Sequence, residues 1–152
     1  MKIPCILILL FLIAGLTLPA TAHALEKDDC IDVSGAWVRA MPPSATSTAA
    51  YMTIENRTDS DIVLKSAATD IARTVEIHQM KQVGDMMVMD KIDNLRIPAG
   101  ARIELKPTGL HLMIIHLLRS IKEGENVQVI LYFEGGKRVT VKAAVRKWNK
   151  AG

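Results

Sequence analysis

From residue 31 onward, hydrophobic and polar positions alternate in short runs separated by Gly, Pro, Asn and Asp. A period of two, rich in Val, Ile, Thr and Tyr, is the pattern of a half-buried strand. Residues 31–39 alternate around Trp37 until Met41-Pro42-Pro43-Ser44 stops them. Residues 49–55 resume and end at Asn56-Arg57-Thr58-Asp59, and 62–67 follow. Further strands are predicted at 74–80, 86–89 and 101–105, with Gly84-Asp85 turning the chain between the first two and Ile97-Pro98-Ala99-Gly100 forming a tight loop. Residues 111–118 are almost continuously apolar, which predicts an inner strand. Residues 127–134 and 137–145 flank Gly135-Gly136, a two-residue hairpin signal. No window outside the first residues carries an apolar stripe at helical spacing. Short strands at this spacing predict one all-β domain, a sandwich or barrel, over 25–152.

The first 24 residues break this pattern. Met1-Lys2 is a minimal positive region, Ile3 to Leu18 is almost wholly apolar, and Ala22-His23-Ala24 places small residues where a signal peptidase cuts. Residues 1–24 are therefore expected to be a cleaved secretory signal, leaving an exported protein with no stable membrane insertion, the rival reading being an uncleaved membrane anchor. The chain runs Ala24-Leu25-Glu26 across the cut, without a lipobox cysteine there. Cys5 leaves with the leader, so Cys30 has no internal disulfide partner. The formal charge of +3 for 152 residues, about +2 once Lys2 is removed, is too small to suggest nucleic acid.

Composition becomes informative at the soft ligands. Seven Met follow the leader, and five of them lie between His78 and Met113; two of the three His in that region lie there too. They fall in pairs two residues apart: His78 with Met80, Met87 with Met89, His111 with Met113. On a strand, such pairs face the same side roughly 6.5–7 Å apart, so flexible side chains can converge on one ion. Thioether sulfur is soft and uncharged and selects Cu(I), and neutral imidazole suits the same ion. Methionine supplies that softness without thiol–disulfide chemistry in an oxidising compartment. Against this stands methionine as core filler, the expected role of Met80, Met86 and Met87. His116 is out of phase with His111 and Met113 and is read as structural. Trp37 and Arg39 are read as parts of a packed strand, and Cys30 has no assigned role.

The spacing His78-x10-Met89-x21-His111-x-Met113 resembles the motif of periplasmic copper chaperones of the PCu(A)C type. Ala36-Trp37-Val38-Arg39-Ala40-Met41-Pro42-Pro43, Ala49-Ala50-Tyr51-Met52-Thr53-Ile54-Glu55-Asn56 and Ile97-Pro98-Ala99-Gly100 resemble the same family, and the likeness spans roughly residues 31–145. The resemblance implies a cupredoxin-like β-sandwich or barrel and His78, Met89, His111 and Met113 as ligands of one Cu(I) per chain. It also implies delivery to cytochrome c oxidase at its CuA centre, with a copper-accepting oxidase subunit or a Sco-type thiol protein as partner. The sequence has no His/Met-rich tail after residue 145, so a second, Cu(II)-binding region is not expected.

On this reading the protein carries metal and is not an enzyme; G-x-S-x-G, H-E-x-x-H and paired catalytic carboxylates are absent. A blue-copper site would need a Cys beside the two His and the axial Met, and the His/Met window contains none. A general periplasmic copper buffer and a metal-free β-sandwich interaction domain are the alternatives, since a sandwich fold alone fixes no function.

Overall fold

The computed structural model describes residues 30–149; the expected leader, residues 1–24, lies outside them. Ten strands follow in chain order: β1 (Ile31–Arg39), β2 (Ser47–Asn56), β3 (Ile62–Thr69), β4 (Ala72–Val83), β5 (Met86–Ile92), β6 (Leu95–Ile97), β7 (Arg102–Leu105), β8 (Leu110–Leu117), β9 (Asn126–Phe133) and β10 (Arg138–Arg146). They hydrogen-bond in the order β5-β4-β8-β2-β1-β10-β9-β3-β6, with β7 added to β2. All pairs are antiparallel except β1 with β10. The sheet folds over so that β3 lies against β4, giving the all-β sandwich predicted from the alternation.

The alternation decides what the sandwich encloses. Val38, Ala50, Met52, Ile54, Leu112, Ile114, Val129, Leu131 and Val145 are buried in one apolar core. On β8, Leu112 and Ile114 enter that core, while His111 and Met113 take the opposite face by strand parity. Both faces of this strand are thus largely covered, which is why its sequence reads as a continuous apolar run.

Three elements differ from the sequence reading. Strand β4 runs from Ala72 to Val83, beyond the predicted 74–80, because β5 folds back along it to the Val83–Met86 pair. Gly84 takes φ +61° at the first position of the two-residue turn between them, a conformation that favours glycine. Strand β6 escapes detection because three residues are too few to show a period; it forms because Leu95 and Ile97 are buried and pair with β3. The β9–β10 connection is a 3₁₀ turn over Glu134–Gly136, closed by the Phe133 N–H donating to the Lys137 carbonyl at 2.8 Å. It therefore takes one residue more than the glycine pair suggested.

One buried polar side chain ties strands distant in sequence. Asn56, at the end of β2, is fully buried. Its Nδ2 donates towards the carbonyls of Ser60 (2.8 Å), Ile97 (3.1 Å) and Pro98 (3.0 Å). Its Oδ1 accepts from the Thr58 N–H (3.0 Å) and hydroxyl (2.7 Å). Removing a partner strands buried carbonyls, which costs far more than an average hydrogen bond contributes. Asn56→Asp, which cannot donate, is expected to lower unfolding stability by about 1–3 kcal/mol in urea titration; an unchanged midpoint would show that the clamp contributes nothing.

Candidate metal centre

Register assembles the site. Strand β4 runs antiparallel to both β5 and β8, placing His78 directly opposite His111 and Met80 directly opposite Met89. The same registers put Met113 opposite Glu76 on β4 and opposite Ala49 on β2. Residues opposite one another share a face. Met89, Met80, His78, Glu76, His111 and Met113 therefore line one face across three strands. Ala49 and Ser47 are small where Met113 and Ile115 meet them, and a cavity of about 290 Å³ opens there.

Met80, Met89, His111 and Met113 all line that cavity. His111 is buried at 5% exposure, whereas Met89 is 46% exposed, so the site reaches the surface along β5. His78 is half-buried beside the cavity, its ring 5.9 Å from that of His111 and close to edge-on.

Two hydrogen bonds fix which nitrogen each ring offers. The Glu76 carboxyl is held below the usual carboxylate range by Lys91, whose Nζ donates to Oε1 at 2.9 Å, and by His78. As an ionised acceptor, Glu76 Oε2 takes the His78 Nε2–H at 2.8 Å. Neutral His78 then carries its lone pair on Nδ1, the buried side-chain polar atom that has no hydrogen-bond partner among the described residues. In His111 the arrangement is reversed: Nδ1–H donates to the Gly109 carbonyl at 3.0 Å, leaving Nε2 with the lone pair. The same carbonyl accepts the Met80 N–H at 3.1 Å. Such a partner on the far nitrogen sets the tautomer and orientation of a ligating histidine.

An aromatic wall completes the cavity. A bulge between Ser34 and Trp37 on β1 shifts the register by one residue and sets Trp37 opposite Tyr51. Their rings lie 4.5 Å apart, and Tyr51 lies 6.4 Å from His111. Burial pushes the Tyr51 hydroxyl up, with Arg39 opposing, so it stays neutral at ordinary pH. Arg39 also sits 4.7 Å from the centre of the Trp148 ring, and both line the cavity. Arg39 thus belongs to the cavity wall as well as to its strand, unlike the sequence reading, and Met80 is a wall residue rather than filler. Met86 and Met87 are 69% and 51% exposed and are not core filler either. His116 is exposed with φ +58°, off the row as its parity requires.

Residues 31–145 match the family model described as "Putative lipoprotein LpqE-like". The chain belongs to the LpqE-like family. "Putative lipoprotein Lxx21020" of Leifsonia xyli subsp. xyli is 29% identical over 136 residues, 88% of this chain and 81% of that protein. The solution structure of the Cu(I) form of DR1885 from Deinococcus radiodurans is 38% identical, covers 84% of this chain and 83% of that one, and superposes with TM-score 0.64. The copper-bound PCuAC domain from PmoF2 shares 23% identity over 78% of this chain and 94% of that domain, with TM-score 0.66. These neighbours bear out the PCu(A)C resemblance and the β-sandwich that it implied.

Within this LpqE-like chain, sequence reasoning passed over Glu76. Its signal was present in Glu76-Ile77-His78, a carboxylate two residues from a histidine and so on its face of the strand. Nitrogen NMR of the rings in the metal-free protein, above the imidazole titration, is expected to show His78 with Nε2 protonated. Glu76→Gln is expected to mix the two His78 tautomers and leave His111 unchanged; an unaltered His78 in the variant would remove Glu76 from this role.

Proposed function

We propose that this LpqE-like protein is an exported Cu(I) carrier, with His78, Met89, His111 and Met113 as ligands of one ion. The carrying observation is that register sets two imidazoles and two thioethers on one face, with Met89, His111 and Met113 lining one cavity and His78 beside it. Each ring is held by its other nitrogen in the tautomer a metal needs. The orphaned Nδ1 of His78 supports the fit, because a buried polar atom without a partner is costly and a ligated metal would satisfy it. Two thioethers in the set favour Cu(I) over harder ions. The relative at 38% identity is known in a Cu(I) form. The apolar leader and the lipoprotein description of the relatives support export.

All four donors are neutral, so the bound ion keeps its single positive charge. An acceptor that offers thiolates adds both softness and negative charge and draws the ion away by stepwise exchange. The partner proposed is therefore a thiolate-bearing copper acceptor, either an oxidase subunit with a CuA-type centre or a Sco-type thiol protein. The protein transports the ion and catalyses no reaction.

Anaerobic titration of Cu(I) against a chromophoric chelator tests the reading. One tight equivalent is expected in the chain from Leu25, and its loss is expected in Met89→Ala/Met113→Ala. Equal binding in both proteins, or failure of the native chain to compete with the chelator, would leave the metal-free interaction domain as the better account.

A further inference from the structure

The donors that meet in the cavity are not the same four. Met80, Met89, His111 and Met113 line it together, while His78 stands beside it with Nε2 bound to Glu76. Met80 is only partly buried and lies directly opposite Met89, two residues along β4 from His78 and on the same face. Its N–H and the His111 ring share the Gly109 carbonyl as acceptor, at 3.1 and 3.0 Å. The segment bearing Met80 and the His111 imidazole are thus held in one fixed relation. Neither core packing nor an ion pair accounts for a thioether in this position.

Resting on the copper reading above, we propose that Met80 is a reserve ligand. Met80, Met89, His111 and Met113 form a second donor set for Cu(I), three thioethers and one imidazole, that overlaps the His78 set in three members. His78 and Met80 then alternate as the fourth donor. The exchange involves no change of charge or oxidation state: one neutral donor leaves as another arrives, and the ion stays on Met89, His111 and Met113 throughout. When His78 is withdrawn, it remains held by Glu76, and Lys91 holds the same carboxylate. Such an exchange lets the ion shift towards the exposed β5 edge without passing through a three-coordinate state, which suits a carrier that must release its cargo.

The test uses His78→Ala, Met80→Leu and the double variant, with Cu(I) added anaerobically against a chromophoric chelator and the sulfur ligands counted by X-ray absorption. Met80→Leu conserves volume and removes the donor, and thermal unfolding without metal verifies that each variant is folded. His78→Ala is expected to keep one equivalent, weakened on the order of tenfold or more, with the sulfur count rising from two to three. The double variant is expected to lose that equivalent. Complete loss of binding in folded His78→Ala, a sulfur count that stays at two, or a double variant that binds as well as His78→Ala would each overturn the role of Met80 while leaving the copper reading intact. Absence of binding in the native protein would overturn both. Should His78→Ala not fold, Met80→Leu alone decides through the rate of Cu(I) release to the chelator. Slower release is expected, and an unchanged rate overturns the proposal.

Discussion

The arrangement depends on the register of β4 between its two antiparallel neighbours. With His78 opposite His111 and Met80 opposite Met89, candidate donors thirty-three and nine residues apart in sequence fall on one face. A slip of one residue on β4 would turn Glu76, His78 and Met80 to the opposite face and bring Ile77 out of the core. The register is held from both directions. Burial of Ile77, Leu112 and Ile114 fixes the inner face, and the Gly84 turn fixes the pairing of β4 with β5. The core and the site are therefore two faces of one constraint.

Electrostatics adds direction to that geometry. The only carboxylate in the row, Glu76, is engaged by His78 and Lys91, so its charge orients a ring and is offset by an ammonium. The cavity wall combines thioether, imidazole and aromatic side chains with the small or hydroxyl side chains of Ser47, Thr48, Ala49 and Thr108, and Arg39 is part of it. A face built from neutral soft donors discriminates by softness rather than charge, and under the proposed function it would hold a monovalent cation less firmly than thiolates would.

Much of this was legible in the sequence, because strand parity is a local property. The pairs His78/Met80 and His111/Met113 announce their shared faces from spacing alone, and Gly84-Asp85 announces the turn that returns Met89 to Met80. What could not be read is whatever depends on pairing between strands. The cross-strand identity of His78 with His111, the one-residue bulge that sets Trp37 on Tyr51, and the gap left by Ala49 and Ser47 arise only once register is set. Met80 reads as filler for the same reason: in sequence it is one methionine among several, and only its pairing with Met89 and its place on the cavity wall separate it from Met86 and Met87. Strand β6 is invisible in the sequence because three residues carry no period. Glu76 was visible but ambiguous, since a carboxylate on a strand is more often a solvated surface group than a histidine's partner.

The most direct test of the central claim is an anaerobic Cu(I) titration of the metal-free protein followed by NMR of the methionine ε-methyl groups and the histidine rings. The account predicts that the methyls of Met89 and Met113 and the rings of His78 and His111 shift together and saturate at one equivalent, while the exposed Met86 and Met87 methyls stay in place. Shifts confined to Met86 and Met87, or no methyl shift at all, would contradict it.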